Sequence, residues 1–194
     1  MSYLDSAHQL YRDAAARVQK SLCCTTGPRF RLPGLVIPRA MEEMNYGCGT
    51  TVHLQDVSPS LDVLYIGVGG GLEALQFAYF TRRPRSVLAV DRVPEMLEVA
   101  RRNFAEAERA NSWFRSEFVE LLEGDALALP LPDARVDLVA QNCLFNIFTP
   151  EHLDVALSEV ARVLKPGGRL VLSDPVCERP MPPRLRDDER LRAE

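Results

Sequence analysis

The chain has 194 residues, 23 basic against 27 acidic side chains for a formal net charge of -4, and five cysteines. That length suits one domain with a sizeable core, and the absence of a basic stripe excludes a nucleic-acid groove. No apolar run approaches the length of a membrane span, and Met1-Ser2-Tyr3-Leu4-Asp5 has neither a basic nor an apolar leader region, so a cytoplasmic protein with no nucleic-acid or membrane partner is expected.

Ala7, Leu10, Ala14 and Val18 recur at three- and four-residue steps, predicting an amphipathic helix from Ser6 to Lys20. Cys23-Cys24 follows, then a proline- and glycine-rich stretch from Thr25 to Ser60 with a short helix around Pro38 to Met44. Residues 1–56 therefore read as a helix-and-loop cap folded over the edge of a cofactor site. From Leu61 the pattern alternates regularly: strand 61–66, helix from about Gly70 to Thr81, strand 86–90, and a helix from Pro94 to about Glu108. Proline suits that first helical turn because its missing donor is no loss. A turn at Asn111 to Arg115 carries the only tryptophan. Strands at 117–122 and 136–141, a helix over 150–164, the turn Lys165-Pro166-Gly167-Gly168 and a strand at 169–173 complete the pattern. Trp113 and Phe114 read as packing residues, and His152 as a capping or solvent-facing one.

Five strands separated by helices predict an α/β, Rossmann-like fold, a mostly parallel sheet with helices on both faces. Its domain spans residues 57–175, and 176–194 begin a further region. The strands that usually close such a sheet are expected to be missing, which would leave an edge prone to self-association.

The richest stretch is Leu64-Tyr65-Ile66-Gly67-Val68-Gly69-Gly70-Gly71, an apolar strand running into glycines spaced for close backbone approach to a ligand. The second strand ends in Asp91, twenty residues after Gly71, where a carboxylate accepts hydrogen bonds from two ribose hydroxyls. A dinucleotide oxidoreductase would use similar loops.

Taken with Gly124-Asp125-Ala126, Leu129-Pro130, the Asp133/Asp137 pair and Leu164-Lys165-Pro166-Gly167-Gly168, these motifs resemble the class I S-adenosylmethionine-dependent methyltransferases over roughly Val57 to Asp174. The resemblance implies S-adenosyl-L-methionine as cofactor. Gly67, Gly69 and Gly71 would approach its methionine part and ribose, Asp91 would hold the ribose, Asp125 would accept from the adenine amine, and Ala126 would donate its backbone amide, with Asn142 also on the cofactor side. Gly124-Asp125-Ala126 favours a methyl donor over a dinucleotide. Tyr65 departs from the family, which commonly has an acid there, so a neighbouring residue or a water must replace that contact near the cofactor's amino group.

The cysteines are odd in number, lack a CxxC pair and suit neither a disulfide framework nor a zinc knuckle. Asn45-Tyr46-Gly47-Cys48-Gly49 and Asn142-Cys143-Leu144-Phe145-Asn146 resemble the arsenite methyltransferases, particularly the bacterial branch associated with arsenosugar formation. By that resemblance Cys48 and Cys143 are ligands of trivalent arsenic, and Cys23-Cys24 holds a thiol-exchange residue, preferably Cys24. The substrate would be arsenite as a thiol adduct, with a thiol reductant such as glutathione or thioredoxin as partner. Thiolates suit the role because arsenic(III) is soft and keeps a lone pair when bound by sulfur. That lone pair carries no proton, so the attack on a methyl group needs no general base.

Two other readings use the same residues: a small-molecule methyltransferase in which Cys143, followed by Leu144 and Phe145, is only a small buried hydrophobe, and a catalytically idle arsenic-binding remnant. The family pattern expects a third arsenic-binding cysteine just beyond Arg184 to Glu194, and Cys177 reads as incidental. The chain is therefore expected to be truncated by an artificial boundary, a frame error or a stop codon read as selenocysteine, and to keep cofactor binding better than turnover.

Overall fold

The computed structural model describes residues 3–19, 31–176, 178, 179, 182 and 188. Cys23, Cys24 and Cys177 lie outside them.

Helix α1 (Tyr3–Ala16) is followed by the short helix α2 (Arg39–Glu43). The alternating part then contributes β1 (Val63–Ile66), α3 (Leu72–Thr81), β2 (Val87–Asp91), α4 (Pro94–Ala110), β3 (Val119–Glu123), β4 (Val136–Asn142), α5 (Pro150–Val163) and β5 (Leu164–Ser173). All the pairings between these strands are parallel, in the order β3-β2-β1-β4-β5. The order in which successive strands are added thus reverses between β1 and β4, the place where open α/β sheets bind ligands beyond the carboxyl ends of their strands.

Side-chain alternation divides the core. Val63, Tyr65, Val87 and Ala89 point to the face covered by α3 and α4, where Leu75, Phe77, Leu97 and Phe104 meet them. Leu64, Ile66, Leu88 and Val90 point to the face covered by α5 through Ala156, Val160 and Val163. β1 is buried along its whole length, whereas every residue of β5, at the sheet edge, is half-buried or exposed.

The structure departs from the sequence expectations in two instructive places. Helix α1 begins three residues earlier and ends four residues earlier than Ser6 to Lys20. Its start is anchored by Tyr3, whose hydroxyl pairs with Nδ1 of His152 and lies 3.4 Å from the amide of Thr149. Periodicity cannot register such a tertiary anchor. Lys165 to Gly168 form a bulge inside β5: Leu164 pairs with Val136, and pairing resumes at Arg169 with Leu138. The interruption shifts the phase of β4, so Val136 and Val139 join one core and Leu138 and Ala140 the other.

Gly71 takes φ +90° as the residue before α3, and a Cβ there would sit 2.9 Å from the Phe104 ring. Gly71→Ala combines left-handed strain with overpacking and is expected to lower stability by about 2–4 kcal/mol in urea denaturation.

Candidate functional site

A cavity of about 1080 Å³, counting its open mouth, lies over the carboxyl ends of β1, β2 and β4. Its floor is the glycine loop after β1. Gly67, Gly69 and Gly71 have φ of 80°, 50° and 90°, a region glycine enters without steric cost. A Cβ at Gly69 would meet nothing within 4 Å, so the loop opens there toward the cavity. Gly67, Gly69 and Gly70 line it. Gly71, expected beside them, does not; it is turned to the Phe104 ring, and its place is helix packing. Asn103 on α4 donates to the carbonyl of Gly70 at 2.8 Å and holds the loop from behind.

Asp91 ends β2 at the cavity wall, accepting from the amides of Val93 at 3.0 Å and Gly69 at 3.4 Å. Burial dominates its chemistry and pushes its carboxyl up to about 6, with the amides of Val93, Gly69, Val68 and Arg92 pulling the other way. Asp125 and Ala126 line the adjoining wall, where Asp125 accepts from the amide of Leu127 at 2.9 Å and faces Arg92 at 3.5 Å. A Cβ at Gly124 would lie 2.6 Å from the Pro130 ring, so only glycine lets that turn close.

Glu73, Asp91 and Asp125 give the wall three carboxylates against the guanidinium of Arg92. This balance favours a positively charged ligand over a pyrophosphate, so a sulfonium-bearing nucleoside fits better than a dinucleotide. Helix α1 contributes Leu4, Ala7, His8 and Tyr11 to the lining, positions that sequence periodicity marks only as helix faces.

The segments around the two described cysteines are laced together. The Cys143 amide donates to the carbonyl of Ser173 at 2.7 Å, and the hydroxyl of the same Ser173 donates to the carbonyl of Cys48 at 2.8 Å. Cys48 also donates its amide to Oδ1 of Asn142 at 2.7 Å. Asn142, expected on the cofactor side, lines the cavity, yet its amide is engaged with the Cys48 segment and with Glu73. Gly47 has to be glycine, because a Cβ would fall 2.7 Å from Asn142 Nδ2. Both cysteines are half-buried, and among the described residues neither forms a disulfide. Cys143 lines the cavity; Cys48 adjoins the lining residue Gly47 without lining it. Cys143 takes φ +59°, an uncommon conformation for a residue with a Cβ, of the kind that clusters at functional sites. Among the described residues no three His, Cys, Asp or Glu side chains form a metal-holding group.

Glu73 is the residue that sequence reasoning missed. It is 4% exposed and lies in the first turn of α3, amid Leu72, Ala74, Leu75, Phe77 and Ala78. An acid inside an otherwise apolar helix turn, directly after a glycine loop, was the available signal. Tyr65 donates to it at 2.8 Å. Burial, and then the Glu73 carboxylate, raise the Tyr65 phenol well above its ordinary value, so it remains a donor.

A parallel sheet with a glycine loop, an acid closing its second strand and an acidic cavity where the strand order reverses defines a nucleotide-cofactor-binding α/β protein. The family model described as "Methyltransferase domain" matches residues 64–172. The chain belongs to this family of S-adenosylmethionine-dependent methyltransferases, and S-adenosylmethionine is its cofactor. It is 37% identical over 157 residues to an arsenite methyltransferase of Aquipseudomonas alcaligenes, covering 77% of this chain and 42% of that protein. Over 98 residues it is 45% identical to a demethylmenaquinone methyltransferase of Thermus thermophilus, covering 50% of this chain and 38% of that one. The crystal structure of an arsenic(III) S-adenosylmethionine methyltransferase from Chlamydomonas reinhardtii superposes with a TM-score of 0.67 at 27% identity, covering 94% of this chain and 56% of that chain. The chain thus spans less than half the length of the curated relatives it matches.

Proposed function

We propose that this chain carries the methyl-transfer site of an arsenite methyltransferase, moving a methyl group from S-adenosylmethionine to thiol-bound arsenic(III). The observation that carries the reading is the double use of Ser173, which ties the backbones of Cys48 and Cys143 together beside the cavity. Similarity to arsenic methyltransferases in both sequence and fold supports it.

When bound, the cofactor supplies an electrophilic methyl carbon on a positively charged sulfur. Asp91 would hold its ribose, the Gly67 to Gly70 loop its methionine part, and Asp125 with Ala126 its adenine. Cys48 and Cys143, as thiolates, would hold the substrate arsenic as a sulfur-bound pyramid with its lone pair at the open apex. An exogenous thiolate completes the pyramid. The contribution of the protein is alignment and exclusion of water, with α1 contributing to the lining. The arsenic lone pair forms the new bond to carbon, and the electrons of the broken carbon–sulfur bond stay with the departing sulfur. Arsenic then stands formally two electrons higher, so a thiol reductant such as glutathione or thioredoxin must return it to the trivalent state, with Cys24 as the exchange thiol.

A second reading, methyl transfer to a small organic acceptor, draws on the apolar part of the wall at Leu4, Ile147 and Phe148 and on the demethylmenaquinone relative. Methyl-labelled cofactor offered together with arsenite, glutathione and a naphthoquinol decides between them. Label on arsenic supports the proposal. Label on the quinol alone, or on neither acceptor, contradicts it.

A further inference from the structure

We infer that Glu73 is a positioning residue that sets the spacing of the two thiols, by holding the Cys48 segment and the Cys143 segment on a single buried carboxylate; the inference rests on the two-thiol reading above. Oε1 accepts from Thr50 Oγ1 at 2.7 Å and from the Thr51 amide at 2.8 Å. Oε2 accepts from Thr51 Oγ1 at 2.8 Å, Tyr65 Oη at 2.8 Å and Asn142 Nδ2 at 3.2 Å. Three of these five donors belong to the residues just past Cys48, and one to the residue just before Cys143.

A buried carboxylate is costly unless its lone pairs are satisfied. No salt bridge reaches Glu73 among the described residues, so hydrogen bonds from these neighbours provide its compensation. Displacing either thiol-bearing segment would strip donors from it. The coupling reaches Cys48 by a second route, because the Asn142 amide that donates to Glu73 also accepts from the Cys48 amide at 2.7 Å. A core acid serving only stability would have no reason to draw its donors from these two segments.

Glutamine cannot take the place of Glu73. The Thr51 amide is an obligate donor at Oε1, and Asn142 Nδ2, fixed by the acceptor role of Oδ1 toward Cys48, is a donor at Oε2. Whichever way a glutamine amide turned, its NH₂ would face a donor. Relief would require Asn142 to flip, which breaks the bond to the Cys48 amide, or the Thr51 segment to withdraw.

The test uses the full chain with Cys23, Cys24 and Cys177 replaced by serine, so that Cys48 and Cys143 are the remaining thiols. Dibromobimane gains its bridged product only where two thiols lie close together, while monobromobimane reports each thiol singly. In the parent the bridged product is expected to form readily. Glu73→Gln is expected to slow bridging about tenfold relative to single alkylation, the effect of an unsatisfied buried donor. Thr51→Val removes one donor, keeps the shape, and is expected to slow it about threefold; it carries the test if Glu73→Gln does not fold. Val163→Ala, a core truncation on the opposite face of the sheet, is expected to lower the melting temperature and leave the bridging ratio unchanged. Parent-like bridging in Glu73→Gln, or in Thr51→Val where it carries the test, overturns the positioning role while leaving the two-thiol reading intact. Equal slowing in Val163→Ala also overturns it. Absence of bridging in the parent overturns both.

Discussion

Replacing Cys143 with serine is expected to abolish arsenic methylation while sparing the fold and the cofactor site. Serine matches cysteine closely in size and keeps the amide that donates to Ser173, so the melting temperature should move little. A hydroxyl is a poor ligand for soft arsenic. Loss of a direct ligand should exceed the 10- to 100-fold penalty typical of outer-shell partners, so turnover should fall by more than about a hundredfold, and Cys48→Ser should behave alike. S-adenosylmethionine affinity, measured by calorimetry, should stay within about threefold of the parent, because Asp91, Asp125 and the glycine loop are untouched. Cys143→Gly provides the complementary case. At φ +59° a residue with a Cβ is strained, and glycine relieves about 1–2 kcal/mol. That variant should be inactive yet more stable, the signature of a side chain kept for its chemistry at the expense of the backbone.

Asp91→Asn should act in opposite directions on stability and on binding. The folded carboxyl titrates at about 6 against an ordinary value of 3.8. Between those values the folded state holds more proton than the unfolded one, so stability falls as pH rises through that window. A shift of that size corresponds to roughly 3 kcal/mol, fully present as a penalty above about pH 6 and relieved toward pH 4. Asparagine carries no such penalty. At neutral pH the variant should be more stable without ligand, and its stability should lose this part of the pH dependence in denaturant titrations across pH 4–7. Binding runs the other way, because two ribose hydroxyls bond best to an ionised acceptor. Each such bond is worth about 1.5–3 kcal/mol, so the variant should lose at least about a hundredfold in S-adenosylmethionine affinity. In the parent, affinity should weaken as pH falls through 6. Unchanged affinity in Asp91→Asn would remove Asp91 from the ribose site.

The order of strands and helices was legible because each carries its own punctuation: Gly67 to Gly71 after β1, Pro94 opening α4, Pro150 opening α5. The places of Asp91 and Asp125 on the cavity wall were legible on different grounds: Asp91 closes an apolar strand twenty residues after the glycine loop, whereas Asp125 stood out only through the resemblance of Gly124-Asp125-Ala126 to the family. What escaped depends on contacts distant in sequence. The true start of α1 follows from Tyr3 reaching the amino end of α5, and the bulge in β5 from pairing with β4. Lys165-Pro166-Gly167-Gly168 reads as a turn on any local rule, and Gly167 does take φ +81° there. Glu73 escaped for a further reason. Its significance lies in five donors drawn from three separate segments, and a single sequence records the acid without its partners. Tyr65 makes the same point: it looked like the loss of an acid, whereas in the fold it donates to the acid supplied by α3.

The most direct measurement is arsenic X-ray absorption on the chain with Cys23, Cys24 and Cys177 replaced by serine, loaded with one equivalent of arsenite and compared with a variant that also lacks Cys48 and Cys143. The account predicts arsenic bound through protein sulfur in the first sample and oxygen-coordinated, unbound arsenite in the second. Oxygen-only coordination in the first sample, or the same arsenic–sulfur signal in both, would contradict it.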